Sequence, residues 1–285
     1  MRDALGQSKS IAHRVRSYRP IQAAPADRSY NGVYRHIAVR RPAMPKAYFT
    51  PATFRFLRAL DRHNSREWFA AHKDDYERHV REPFLQLIGD LQAPLAKISP
   101  HYRADTRKNG GSLFRIFRDT RFSNNKLPYK PWQGARFFHE RHREIPAPSF
   151  YMHIQPGGCF AGGGMWHPEP DALKHIRAFL ADNPAAWKRA TQGKAFRAHF
   201  TFWGESLSRP PRGFDPDHEL IEDLKRKNFA AGEGFDDALA CSAELLPWVV
   251  QNFKRIAPLL DYLCAAQELE FVGAHPVRDC SLQQP

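Results

Sequence analysis

One segment of this 285-residue sequence concentrates side chains that bind anions. Residues 115–130 contain five cations and one acid, Asp119; the cations are Arg115, Arg118, Arg121, Lys126 and Lys130. An arginine guanidinium is a planar fork that matches phosphate or carboxylate, and lysine adds a point charge. Asp119 is suited to hold one arginine in a bidentate pair. The segment therefore predicts a preorganised anion pocket.

Strand periodicity sets the directions of these side chains. On a regular strand, the odd-numbered residues from Arg115 to Arg121 face one side, and the even-numbered residues from Ile116 to Phe122 face the other. Ser-Asn-Asn at 123–125 then makes a turn. Lys126 and the following residues return towards the end of the strand, so the cations of both arms are expected to meet.

Three hypotheses compete for this segment, and neither an enzymatic activity nor a cofactor is fixed by the sequence. The first is an enzyme or binding domain for a phosphorylated or acidic small molecule, in which Tyr129 hydrogen-bonds the ligand. The second is a nucleic-acid-associated module, with Trp132 stacking on bases. The third is a structural ion-pair network without a ligand. The candidate catalytic residues under the first hypothesis are Asp119, His153, His167 and His218.

Other motifs point to fewer kinds of chemistry. The glycine-rich run 157–164 is not a phosphate-binding loop of the Gly-Lys-Ser/Thr type and predicts a hairpin turn with a close backbone approach to a ligand or a helix. His139 and His142 lie among arginines, and no metal site is expected there. No serine nucleophile elbow, dinucleotide fingerprint or pair of catalytic carboxylates occurs. Few acids lie near the basic motif, which argues against a magnesium-dependent nuclease.

The net charge of +13 is concentrated at the N-terminus. Residues 1–46 hold ten basic residues and two acids, and they lack a sustained period, so we expect a disordered basic tail. It either binds nucleic acid or another anionic surface, or is an organelle transit segment, or results from a start upstream of the true first residue, Met44. We expect one domain over 47–268 and a C-terminal tail over 269–285.

Composition and the four cysteines suggest a compartment. The cysteines form no C-x-x-C pair, and no secretory leader precedes them, so free thiols in the cytoplasm are expected. No apolar run reaches the roughly 20 residues that a bilayer requires, so no membrane association is expected. The oligomeric state stays open.

The expected fold class is α+β, with an antiparallel sheet of about four or more strands and helices packed on it. Helices are predicted to start at Thr50-Pro51 and at Asn64, with Pro83 ending or kinking the second. Strands are predicted over 112–122, 135–140, 149–155 and 159–166. Further helices are predicted over 170–181, 184–191, 215–227, 236–253 and 256–267.

The central segment reads R-I-F-R-D-T-R-F-S-N-N-K-L-P-Y-K over residues 115–130. With this motif and shorter pieces in the same order, the chain resembles the bacterial and fungal family called domain of unknown function 2461 over roughly residues 48–265. The family carries no assigned activity, so the resemblance implies boundaries rather than a reaction. Members often have Asp where this chain has Asn125; a role in the turn survives that change. The shorter pieces include Asn64-Ser65-Arg66-Glu67-Trp68-Phe69, Tyr151-Met152-His153-Ile154 and Gly163-Gly164-Met165-Trp166-His167-Pro168.

Overall fold

The computed structural model describes residues 46–121 and 123–272. Helices open and close this part of the chain, and most of the strands lie between them. A π-helical turn, Glu77–Arg81, joins the third helix to the fourth. The α-helices are α1 (Pro51–Arg62), α2 (Arg66–Ala71), α3 (Lys73–Tyr76), α4 (Glu82–Ile98), α5 (Pro170–Asp182), α6 (Pro184–Thr191), α7 (Lys194–His199), α8 (Ile221–Leu224), α9 (Asp237–Ala240) and α10 (Leu245–Ala266).

Within the described residues, six strands form one antiparallel sheet, which confirms the predicted α+β class. The sheet order is β1-β2-β3-β4-β6-β5. Every neighbouring pair is antiparallel, as the short connections between the central strands favour. The strands are β1 (Tyr102–Arg103), β2 (Gln133–His139), β3 (Ser149–Ile154), β4 (Cys159–Met165), β5 (Thr201–Phe202) and β6 (Phe229–Phe235).

Helix α10 packs on one face of the sheet, here called the inner face. Alternate residues of β3, namely Phe150, Met152 and Ile154, are fully buried. The ring of Phe253 on α10 lies 4.8 Å from the ring of Phe150, which places α10 on this side. Although α10 has 22 residues, no helix in the described part of the chain is long and apolar enough to cross a membrane.

The outer face of the sheet carries the residues that alternate with the buried set. Side chains directly opposite each other on antiparallel strands share a face. The register therefore places Tyr151 beside Arg136, and His153 beside Phe160, on the outer face.

The N-termini of α1 and α2 are capped by side chains. Thr50 Oγ1 accepts from the amide of Ala52 at 3.3 Å, and Pro51 occupies the first helical position, as predicted. The cap of α2 is Ser65 rather than Asn64, since Ser65 Oγ accepts from the amide of Trp68 at 3.1 Å. This one-residue difference leaves the amide side chain of Asn64 available for other bonds.

Pro83 does not end the helical run but lies in the first turn of α4. Proline has no N–H, so it cannot donate to the carbonyl four residues earlier, which belongs to His79. That carbonyl instead accepts from Thr53 Oγ1 of α1 at 2.6 Å. The π-helical turn and α1 together compensate for the missing bond.

Several predicted elements are corrected by the structure. The separate helices predicted over 236–253 and 256–267 are instead the short helix α9 and the single long helix α10. Within the strand predicted over 112–122, the described residues 112–121 form no regular strand; two isolated bridges, Leu113 to Ala135 and Phe117 to Tyr129, replace it. The predicted helix over 215–227 is reduced to α8, because the segment before it forms a turn in which the carboxylate of Asp215 accepts from a nearby amide at 2.9 Å.

Packing continues beyond residue 268. Leu269 and Phe271 are buried, and the ring of Phe271 lies 5.6 Å from that of Tyr102. Ser99 also donates a hydrogen bond to the carbonyl of Phe271. The predicted N-terminal tail, except residue 46, and residues 273–285 lie outside the described residues.

Candidate functional site

Residues 115–130, here called the motif hairpin, lie beside the edge of β2. Phe117 and Tyr129 form the bridge between its two arms. Backbone hydrogen bonds of 2.8 and 2.9 Å flank this bridge on either side. The two arms are therefore held together, even though no regular strand forms.

Asn64 anchors the motif hairpin to the helical layer. Its Oδ1 accepts from the amide of Tyr129 at 3.0 Å, and its Nδ2 donates to the carbonyl of Tyr129 at 3.1 Å. The ring of Tyr129 stacks on that of Phe69 at 4.2 Å and is 4% exposed. Tyr129 therefore fixes the position of the hairpin through its buried ring and its backbone.

Exposure alternates along the first arm as the strand period predicts. Arg115, Phe117 and Asp119 are exposed, whereas Ile116 is buried and Arg118 is half-buried. The backbone of this arm is therefore extended, and successive side chains point to opposite sides of it. Arg118 and its exposed neighbours accordingly have different surroundings.

Lys130 follows Tyr129 in the chain and so points to the opposite side of the arm. Its ammonium nitrogen lies 5.0 Å from the ring centre of Trp132 and 5.6 Å from that of Phe114. It also donates to the carbonyl of Arg115 at 3.0 Å. Two aromatic rings and one carbonyl hold this cation, and no carboxylate within the described residues pairs with it.

We call Arg115, Arg118 and Lys130 the cation cluster, because the charges of both arginines act on Lys130. Burial and the positive charges of both arginines lower the pKa of Lys130. Arg118 Nε is buried and has no hydrogen-bond partner. Within the part of the chain that the structure describes, no ion pair joins either arginine to an acid. A shielded donor without an acceptor, and like charges acting on one lysine, are both unfavourable unless an anion compensates.

Arg121 differs from these cations because Asp119 neutralises it. Its Nε and Nη2 donate to the two carboxylate oxygens at 3.0 and 2.8 Å, which confirms the predicted bidentate pair. Hydrogen bonds from Arg121 lower the pKa of Asp119 to about 2. Both side chains are largely exposed, so the pair lies in solvent on the outward side of the hairpin.

The tip of the motif hairpin is shaped by short polar side chains. Asn125 Oδ1 accepts from the amide of Leu127 at 3.0 Å, and Ser123 Oγ accepts from the amide of Asn125 at 3.2 Å. Lys126 donates to the carbonyl of Thr120 at 3.0 Å and is exposed. Asn125 thus has the turn-forming role that an aspartate would also fill.

His153 lies on the outer face behind Trp132, with 4.7 Å between the ring centres. Its Nδ1 bonds to the hydroxyl of Tyr151 at 3.0 Å, and its Nε2 to Oε1 of Gln155 at 2.9 Å. The amide oxygen of Gln155 only accepts, so Nε2 carries the proton and Nδ1 accepts from the phenol. Burial lowers the pKa of His153, in keeping with a neutral ring.

His167 and His218 are not brought to the cation cluster. His153 faces Phe160 at the start of β4, whereas His167 follows the end of that strand. At about 3.3 Å per residue, the length of β4 separates the two ends by about 20 Å. His218 precedes α8, in the segment that leads into β6 opposite the end of β4.

The glycine-rich run 157–164 allows neighbouring strands and helix α10 to pack close to its backbone. Gly157 has a φ of +69° in the turn before β4. A Cβ on Gly163 would lie 2.8 Å from the side chain of Leu260 on α10. The sequence predicts a close approach of this run to either a ligand or a helix. At Gly163 the close neighbour is helix α10.

Among the grooves of the described residues, two have volumes of about 400 and 430 Å³, and neither is lined by a residue of the motif hairpin. The first includes Trp68, which stacks between His63 and His72. The second includes Arg103 and Glu140, which form an ion pair with each other. The cation cluster lines neither of these two grooves.

Asn64 and Phe114 are parts of this site that the sequence does not reveal. Asn64 and Tyr129 are 65 residues apart, and no local pattern links them. Phe114 precedes the motif, and its packing beside Lys130 depends on the position of the edge of β2. A lone aromatic residue before a basic run gives no signal for such a contact.

Comparison with known proteins adds one finding to this geometry. No curated protein and no solved structure matches the chain. A family model described as "Conserved hypothetical protein (DUF2461)" matches residues 52–262, a span that holds the motif hairpin, Asn64 and all six strands of the sheet. Because the match covers most of the sequence, the chain belongs to the DUF2461 family.

Proposed function

We propose that this chain binds a small phosphorylated or carboxylated molecule at the cation cluster. The observation that carries the proposal is the shielded Nε of Arg118, which has no partner; beside it stands the repulsion of both arginines on Lys130. A phosphate or carboxylate bound at this guanidinium would compensate its charge and offset the repulsion on Lys130.

The other predicted ligand-binding residues have supporting positions in this proposal. Tyr129 and Asn64 hold the arms of the motif hairpin, and Trp132 positions the ammonium of Lys130. Arg121 is neutralised by Asp119 and lies outside the cluster. The proposal is one of binding, since both ring nitrogens of His153 already have partners.

The test is calorimetric titration of the full chain with inorganic phosphate at low ionic strength. Arg118→Gln removes one cation of the cluster, and Arg121→Gln is the matched control with an arginine of the same hairpin that is already paired. Loss of a charge-assisted hydrogen bond predicts at least about tenfold weaker binding for Arg118→Gln. The control is expected to stay within about threefold of the unmodified protein.

Two results would contradict the proposal. The first is no phosphate binding by the unmodified protein. The second is equal binding by both variants, combined with a lower melting temperature for Arg118→Gln alone, which would make the cluster a structural feature.

A further inference from the structure

A continuous set of aromatic side chains extends from the cation cluster across the outer face of the sheet. The ring of Phe114 lies 5.8 Å from that of Tyr151, and Tyr151 lies 5.6 Å from Phe160. Phe160 in turn lies 4.7 Å from Trp203, which follows β5. The rings therefore reach from the strand nearest the cluster to the opposite side of the sheet.

These rings are half-buried rather than covered by a helix. Phe114, Trp132, Tyr151, Phe160 and Trp203 each retain intermediate exposure. The long helix α10 packs on the inner face. A contiguous aromatic surface that stays accessible to solvent is typical of a binding site.

The sheet surface next to these rings is formed by glycine residues. Gly162 of β4 and Gly232 of β6 lie directly opposite each other on the outer face. The ring of Trp203 lies across Gly232, where a Cβ would come within 2.0 Å of the indole. Aromatic rings rather than aliphatic side chains therefore define this part of the surface.

Charge is distributed unevenly around the aromatic surface. The cations Arg115, Arg118 and Lys130, which form no ion pair at hydrogen-bonding distance with an acid of the described residues, lie at its β2 side. Beyond Trp203, Lys227 is paired with Glu205 at 2.8 Å. One concentration of positive charge at one end suits a ligand with a single anionic group, whereas a polyanion would need a cationic stripe along its path.

We propose that the ligand is a nucleoside monophosphate, with its phosphate on the cation cluster and its base stacked on the outer-face aromatic rings. This inference rests on the proposed anion-binding function and adds the class of the ligand. Base stacking on protein aromatic rings is favourable and tolerates different bases, so several nucleobases are expected to bind.

The test compares the affinities of adenosine 5′-monophosphate, ribose 5-phosphate and inorganic phosphate for the full chain. The nucleotide is expected to bind at least about tenfold more tightly than ribose 5-phosphate, from stacking of one base. Trp132→Leu should reduce this ratio to below about threefold. Trp166→Leu is the matched control, because Trp166 is exposed and follows the far end of β4.

A second variant separates loss of stacking from damage to the cluster. Phe160→Leu leaves the contacts of Lys130 in place. It should lower the ratio of the nucleotide affinity to the ribose 5-phosphate affinity, while the affinity for inorganic phosphate stays unchanged. Equal affinities for all three ligands would overturn the inference and leave the proposed function standing. A ten-nucleotide single strand that binds more than tenfold tighter than the monophosphate, with steep salt dependence, would also overturn it. Failure of all three ligands would overturn both proposals.

Discussion

Arg118 and Arg121 lie three residues apart, yet their surroundings differ. Arg121 is exposed and held by Asp119, which is two residues away and on the same side of the extended arm. Arg118 points to the other side, where its Nε is shielded and has no partner. The alternation and the bidentate pair could both be predicted from the sequence, because they depend on neighbouring residues.

His153 predicts a pH dependence of stability at the scale of one residue. Burial lowers its pKa below the ordinary value of 6.5, so the unfolded chain binds a proton more readily than the folded chain. The free energy of unfolding should therefore fall as pH decreases below 6.5. His153→Gln should flatten part of this slope in urea unfolding at pH 7.5 to 5, with exposed His167→Gln as control.

Unchanged slopes in both variants would show that His153 does not titrate differently in the folded chain. His139 and His142 have pKa values lowered by burial as well, so they are expected to retain the remaining slope.

Asn125 predicts which substitutions the hairpin tip tolerates. Asn125→Asp keeps an oxygen that accepts from the amide of Leu127, so stability should change little. Asn125→Ala removes the acceptor and should destabilise the chain by about 0.5–1.5 kcal/mol in chemical unfolding. Equal stability of the alanine and aspartate variants would contradict the assigned role in the turn.

At the scale of elements, the anchoring of the motif hairpin depends on Asn64. Asn64→Ala removes both hydrogen bonds to the backbone of Tyr129 and should lower the free energy of unfolding by about 1–3 kcal/mol. Phosphate binding should weaken in parallel, because the arm that carries Lys130 loosens. Asn124→Ala, at an exposed position of the tip, is the control, and an equal effect of both variants would rule out the anchor.

The packing of α10 on β4 predicts a contrast between two glycines. Gly163→Ala places a methyl group 2.8 Å from Leu260 and should destabilise the chain by about 1–3 kcal/mol. Gly158→Ala meets only ordinary contacts with Gln155 and should change stability much less. Thermal unfolding of the two variants measures the difference, and equal melting temperatures would show that α10 adjusts freely.

Strands β2, β3 and β4 are predictable from the sequence because aromatic-containing segments there are separated by Pro, Gly and Asn turn signals. Strand β6 is not, because its residues Phe229–Phe235 are mostly small and two are glycine, which give a weak strand signal. Hydrogen bonding to β4 stabilises β6 as a strand although its residues have a low strand propensity. The first arm of the motif hairpin shows the reverse case. Its sequence predicts a strand, but the structure contains only isolated bridges there.

At the scale of the whole molecule, the sheet has helix α10 on its inner face and half-exposed aromatic rings on its outer face. The fold class follows from the order of helices and strands along the chain. The position of the cluster at the edge of the outer face does not, because it requires the register of β2 and the contact between Asn64 and Tyr129. These are long-range pairings that periodicity does not specify.

The pKa of Lys130 tests the central claim most directly. Lysines of the full chain are labelled with ¹³C-methyl groups by reductive methylation, and the Lys130 signal is identified by its absence in Lys130→Arg. The expected pKa is below the ordinary value of 10.5 in the free protein, because of burial and the two arginines, and it should rise when inorganic phosphate is added. An ordinary pKa that phosphate does not change would contradict the account.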